Sequence, residues 1–161
     1  CEIDCHEAYS VVGVRATKAI GDGLEQKTAA GTFYIVTVKV WFDEKTISSR
    51  RPKDMLLYPN ARTALLNSVR GQDFTVSLEG QRALEKTEGK VPIPFTQRLK
   101  PGESYITDLV FDVPSDVTNP RLYITLAGGM PGALLIGHER SLLHKKILFD
   151  LAPPARANSQ R

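Results

Sequence analysis

Apolar and polar residues alternate along much of this chain, and the alternation predicts strands rather than helices. In the segment 105–113, Tyr105, Leu109 and Phe111 fall on one face, whereas the two aspartates of the segment fall on the other. A period of two residues is typical of a strand with one face in a hydrophobic core. Pro114 has no N–H to donate to a sheet, so it predicts the end of this strand.

A second long strand is predicted over residues 32–43, and it has apolar side chains on both faces. Val38 belongs to a face that is entirely apolar, and Trp41 shares the other face with Lys39. A strand that is apolar on both faces is buried on both faces. We therefore expect residues 32–43 to lie in the middle of a sheet.

Shorter strands complete the pattern, with turn residues between them. They are predicted over residues 9–19, 61–68, 73–78, 121–126, 133–136 and 146–151. In the first of them, Val12, Val14 and Ala16 fall on one face. Gly71 lies between two of these strands, at the place where a hairpin loop needs a residue with positive φ.

The remaining segments predict loops, and no amphipathic helix is expected. Residues 84–89 are polar, and residues 91–95 contain two prolines that favour an extended segment at an edge or outside a sheet. Seven to nine short strands predict an all-β fold, an antiparallel β-sandwich of immunoglobulin-like architecture, with a Greek-key barrel as the alternative. We expect a lead over residues 1–8, the sandwich over 9–151 and a flexible tail over 152–161.

Composition and charge narrow the classes of partner. The chain has 161 residues, enough for one domain, and a formal net charge of +3 with acidic and basic residues interspersed. This balance provides no basic footprint for nucleic acid. No apolar run reaches the roughly 18 residues that a membrane span needs. Because the chain starts at Cys1 instead of Met, we expect that an upstream segment was removed, and that any membrane attachment was through it.

Four segments together resemble a known family. They are a long aromatic and Val-rich strand at 32–42, a Gly-containing hairpin at 65–74, a Leu-x-Pro-Gly-Glu turn at 99–103 and a Val-Phe-Asp-Val-Pro sequence at 110–114. This pattern resembles the immunoglobulin-like domain of unknown function found in secreted and membrane-anchored bacterial lipoproteins, over residues 9–126. The resemblance implies an extracytoplasmic location and no known catalytic activity, and it assigns no functional residues.

The one constellation with candidate chemistry is the sequence Cys1-x-x-x-Cys5-His6. Cys1 and Cys5 are the disulfide candidates, since an oxidising compartment would join them if the chain turns between them. Cys1 is alternatively the lipid-bearing first residue of a lipoprotein. The motif is also a lengthened relative of the Cys-x-x-Cys-His haem-attachment sequence. Zinc binding and free thiols are the remaining alternatives.

No catalytic or metal-binding residues are predicted elsewhere. His138-Glu139 and His144 do not have the spacing of the His-Glu-x-x-His metal helix. The chain contains no Gly-x-Ser-x-Gly nucleophile elbow. We therefore expect a non-enzymatic, extracytoplasmic binding or scaffold domain of the bacterial cell envelope, without a cofactor, whose partner is another envelope protein. The alternative is a redox or haem-bearing electron-transfer accessory protein that uses Cys1, Cys5 and His6.

Overall fold

The computed structural model describes residues 7–46, 52–57, 61–67, 71–126 and 148–151. These residues contain seven strands and one α-helix: β1 (Glu7–Ile20), β2 (Lys27–Phe42), β3 (Ala61–Asn67), β4 (Gln72–Phe74), α1 (Leu78–Glu88), β5 (Ser104–Val113), β6 (Arg121–Leu126) and β7 (Leu148–Asp150). Single turns of 3₁₀ helix cover Gly23–Glu25 and Glu44–Thr46. The strands form one sheet of order β1-β2-β5 and another of order β4-β3-β6-β7, in which every neighbouring pair is antiparallel. The predicted all-β antiparallel sandwich is confirmed.

The two sheets enclose the main core, and β2 and β5 supply most of it. The alternating residues of β2 from Val36 to Phe42 are fully buried, as are Phe111 and Val113 of β5. Leu65 and Leu122 of the second sheet pack into the same core. Burying apolar area is the main favourable term in folding, so this face holds the sandwich together. The predicted central position of β2 is confirmed.

A β-bulge in β1 changes which of its residues face the core. Val11 and Gly13 have successive partners in β2, so Val12 between them has none. Val12 is 52% exposed and Ala16 is exposed, whereas Val14 packs against the core. A bulge adds one residue to one strand and reverses the alternation after it. Val14 and Ala16 still share a face, opposite Val36 and Tyr34 of β2, so the prediction that Val12 lies on that face with them is wrong.

The helix α1 is the main departure from the sequence prediction. The strand predicted over 73–78 ends at Phe74, and the predicted polar loop at 84–89 is helical as far as Glu88. Ser77 caps the helix by accepting a hydrogen bond from the Gly80 N–H at 3.2 Å, and Gly89 ends it with φ of 64°. The buried residues of α1 are Gly80, Ala83 and Leu84, so its apolar face is short and has a weak signature in the sequence.

The helix packs on the outer face of the three-stranded sheet and closes a second, smaller core there. This core contains Ile20, Phe33, Ile35, Ala83, Leu84 and Val110. Gly80 is needed for the close approach, because a Cβ at that position would lie 2.7 Å from Val110 Cγ1. The described residues thus form a sandwich with a helix over part of one outer face.

Other sequence predictions meet the structure more simply. Gly71 has φ of 64° in the loop between β3 and β4, as the hairpin prediction requires. Residues 91–95 lie outside both sheets, and β5 ends before Pro114. The last predicted strand is β7, over three residues, and the strand predicted at 133–136 lies outside the described residues. Within the described ranges, no helix is long and apolar enough to cross a membrane.

Candidate functional site

The candidate residues named from the sequence are not among those whose structure is described. Cys1, Cys5 and His6 precede residue 7, and His138 and His144 lie in the gap between β6 and β7. The disulfide, lipid, haem and zinc alternatives for the first three residues stay predictions. Among the described residues, no group of three or more His, Cys, Asp or Glu side chains is placed to hold a metal ion.

The structure points instead to the outer edge of β5, which is an edge strand of its sheet. The Phe42 N–H donates to the Glu103 carbonyl at 3.1 Å, and this bond sets the phase of the antiparallel ladder. Hydrogen-bonded pairs alternate along such a ladder. The backbone groups of Ile106, Asp108 and Val110 therefore point away from β2.

Half of this edge is covered by the residues that lead into α1. The Ser77 N–H donates to the Val110 carbonyl at 2.8 Å. Gln81 Nε2 donates to the Asp108 carbonyl at 2.9 Å, and the Val110 N–H donates to Gln81 Oε1 at 3.1 Å. The carboxamide of Gln81 thus occupies the place that the amides of a neighbouring strand would take.

The other half, which we call the open edge, comprises the outward N–H and C=O of Ile106 and the N–H of Asp108. No residue in the described part of the chain hydrogen-bonds to these groups. The side chain of Ile106 lies on the same outer face as Val110 and is 55% exposed. An edge strand with unpaired backbone groups is a template for another extended chain.

A cleft of about 220 Å³, the edge cleft, lies between α1, the segment 90–93 and β5. Its lining is Gln81, Leu84, Glu85, Glu88, Lys90, Val91, Pro92, Ile93, Ile106, Thr107 and Asp108. Val91, Ile93 and Ile106 are large apolar residues exposed at 77%, 36% and 55%, respectively. The edge cleft therefore combines an exposed apolar surface with backbone groups that have no partner in the described part of the chain.

The charged residues of the edge cleft are mostly acidic. Glu88 is paired with Arg15 at 2.6 Å, and Asp108 accepts a hydrogen bond from Thr37 Oγ1 at 2.5 Å. The carboxylate of Glu85 has no ion-pair partner in the described residues, and Lys90 is the basic residue of the lining. The carboxylate of Glu85 therefore favours a positively charged group beside α1.

The inner face of β5 behind the edge cleft holds two buried polar groups. Tyr105 Oη and Thr107 Oγ1 have no hydrogen-bond partner within the described residues. Burial raises the pKa of Tyr105 to about 12, and the negative charge of Glu7 contributes in the same direction. The Tyr105 hydroxyl thus keeps its proton to a higher pH than an exposed tyrosine does.

Sequence reasoning did not find the edge cleft, although parts of it leave a signal. The Val91-Pro92-Ile93 segment carries large apolar residues beside prolines outside any sheet, and Ile106 is a large apolar residue on a face that also carries Asp108. These residues meet only because α1 returns the chain to the edge of β5.

Comparison with known proteins leaves the function open. No protein-family model and no curated protein matches the sequence. The chain is similar to a solved structure described as a conserved hypothetical protein from Bacillus anthracis, with 11% identity and a TM-score of 0.49. The similarity covers 76% of this chain and 92% of that one.

Proposed function

We propose that this chain is a non-enzymatic binding domain of the bacterial cell envelope, and that it binds another envelope protein at the edge cleft. The observation that carries the proposal is the coincidence of the open edge with three exposed apolar side chains. Exposed apolar patches on soluble domains often mark interaction sites. An unpaired edge beside such a patch supplies directional hydrogen bonds in addition.

The opposite edge of the same sheet, on β1, has a different structure. In β1, the bulge at Val12 interrupts the ladder, and Arg15 and Lys18 are exposed. Bulges and charged side chains are the usual means of preventing an edge from pairing with another chain. The β1 edge thus carries features that prevent pairing with another chain, whereas the open edge of β5 does not. This difference supports a role for β5 in binding.

The location in the cell envelope, and the immunoglobulin-like architecture, rest on the sequence. The turn at 99–103 and the strand at 110–114 resemble the immunoglobulin-like domain of bacterial lipoproteins, and Cys1 is a candidate for lipid attachment. The non-enzymatic role is inferred from the same resemblance, which implies no known catalytic activity. Fractionation of source cells, with an antibody against this domain, tests the location. Recovery in the cytoplasmic fraction alone would overturn that part of the proposal.

Site-specific photo-crosslinking in source cells tests the binding surface. A photoreactive phenylalanine analogue is introduced at Val91 in the edge cleft or, as the control, at Leu24, which is fully exposed but lies outside the cleft. We expect a discrete crosslinked protein with the Val91 variant and none with the Leu24 variant. Equal crosslinking from both positions, or none from Val91, would contradict binding at the edge cleft.

A further inference from the structure

We infer that the partner contributes an extended segment, with an apolar residue beside a Lys or Arg, that pairs with the open edge of β5 as an added strand. This inference rests on the proposed function and specifies the chemistry of its partner. Strand addition to an exposed sheet edge is a recurring mode of peptide recognition, in which backbone hydrogen bonds give affinity and alternate side chains give specificity.

The backbone of the open edge fixes the hydrogen-bonding requirement. Ile106 presents one donor and one acceptor, and Asp108 presents a further donor, all directed away from β2. A neighbouring extended chain carries donors and acceptors with the matching repeat. The carboxamide of Gln81 already makes both kinds of bond one step along the same edge, at 2.9 and 3.1 Å. The edge is therefore positioned to accept amide groups.

The covered half of the edge limits where the added strand can lie. Ser77 and Gln81 hold the outward groups of Val110 and the carbonyl of Asp108, so pairing cannot continue past that point. The added strand must run beside the stretch from Ser104 to Asp108. A short added strand matches the modest volume of the edge cleft, about 220 Å³.

The side chains around the open edge determine which sequence fits. Successive residues of a strand point to opposite faces, so alternate residues of the added strand lie on the outer face with Ile106. There they meet Val91 and Ile93, which favour an apolar side chain. Glu85 on α1 and Asp108 on β5 favour a Lys or Arg nearby.

The probe is a set of 12-residue peptides selected from a random displayed library on the immobilised chain and then synthesised. Their affinity is measured by fluorescence polarisation for the wild type, Ile106→Pro and the control Ile106→Val. Pro removes the outward N–H of residue 106 together with the Ile side chain, and it removes no N–H of the ladder to β2. A peptide N-methylated at the paired residue tests the backbone hydrogen bonds separately from the side chain. We expect Ile106→Pro to weaken binding about ten-fold and Ile106→Val to change it less than about three-fold.

Two further measurements keep the inference testable if Ile106→Pro does not fold. In the wild type, bound peptide should slow amide hydrogen exchange at Ile106 and Asp108, and N-methylation of the paired peptide residue should abolish that protection. Glu85→Gln should weaken binding of peptides that contain Lys or Arg by about two- to five-fold at low salt, with the loss reduced at high salt.

The outcomes separate this inference from the proposed function. Selected peptides that bind equally to the wild type and to folded Ile106→Pro, or that leave the two amides unprotected, would overturn strand addition. Strand addition is also overturned if no linear peptide binds while photo-crosslinking from Val91 captures a folded partner. In that case, the proposal that a partner binds at the edge cleft stands. If neither peptide nor partner is found, both proposals fail.

Discussion

Val110 and Ile106 lie on the same face of the same strand, four residues apart, and their surroundings are opposite. Val110 is fully buried under α1, and its backbone groups are hydrogen-bonded by Ser77 and Gln81. Ile106 is 55% exposed, and its outward backbone groups have no partner in the described residues. The two residues are similar in size and chemistry, so the strand itself does not create the difference.

The difference arises from a segment 25 to 30 positions earlier in the chain. The close approach at Gly80 seats α1 against Val110, and the side chain of Gln81 then reaches the edge. A sheet edge has to be paired, covered or otherwise protected if it is not to bind another chain. Among the described residues, one helix protects half of an edge, and the other half has no cover.

On the inner face of β5, the two halves of the strand do not differ, and disruption there should have the largest effect. Phe111 is fully buried in the main core, whereas Lys39 is on the opposite face of β2. We expect Phe111→Ala to lower the free energy of unfolding by about 3–5 kcal/mol. Lys39→Ala, the control, should change it by no more than about 0.5 kcal/mol. Urea denaturation measures both, and similar losses would contradict the assigned faces.

The direct test of the comparison is the matched pair Val110→Ala and Ile106→Ala. Val110→Ala removes buried methyl groups and leaves a gap under α1. We therefore expect it to lower the free energy of unfolding by about 2–3 kcal/mol. Ile106→Ala removes a half-exposed side chain, so we expect the free energy of unfolding to change by less than about 1 kcal/mol. Thermal and urea unfolding of both variants decide the matter. An equal loss would show that the two halves of the outer face are equally buried.

The cover over the edge can be removed without changing the strand. Gln81→Leu keeps the size of the side chain but leaves the Asp108 carbonyl and the Val110 N–H without their partner. We expect the free energy of unfolding to fall by about 1–2 kcal/mol, because a buried polar group that loses its hydrogen-bond partner destabilises the folded state. Arg82→Leu, at the next and exposed helix position, is the control and should stay within about 0.5 kcal/mol. Amide hydrogen exchange at Val110 should be faster in Gln81→Leu than in the wild type and unchanged in Arg82→Leu, which would show that the lost stability comes from the edge of β5.

The smallest effect concerns Tyr105, which precedes Ile106 and faces inward. Because burial and Glu7 raise its pKa to about 12 from the ordinary value of 10.0, the unfolded chain loses this proton first as pH rises. The contribution to stability is present below pH 10 and is lost between about pH 10 and 12. We expect the Tm of the wild type to fall more steeply over this window than that of Tyr105→Phe. Parallel curves for the two proteins would contradict burial of this hydroxyl.

These contrasts also explain which parts of the structure the sequence predicts. The faces of β2 and β5 follow from alternation within one strand, and they were predicted correctly. The helix was missed because small residues at Gly80 and Ala83 form most of its buried face, which gives little apolar periodicity. The bulge at Val12 reverses the alternation without any local turn signal.

The edge cleft was not predictable, because its parts are distant in the chain. Whether Ile106 is open depends on where Gln81 lies, and Gln81 bonds the strand across 27 and 29 residues. Alternation describes which face a residue occupies and says nothing about the edge of the sheet. The predicted chemistry of Cys1, Cys5 and His6 lies outside the described residues and stays a prediction.

The strand order β1-β2-β5 has a consequence for how the protein is made. β1 and β2 are a hairpin of neighbouring segments, but the bond between Thr37 and Asp108 closes a separation of 71 residues. At a synthesis rate of 5–20 residues per second, roughly 4–14 s pass between the two. During that interval, β2 lacks its pairing with β5, and of the second sheet only β3 and β4 have been made. Such late pairing slows folding and leaves aggregation-prone apolar surface exposed. The nascent chain therefore passes through a stage in which the apolar faces of β2 are incompletely covered.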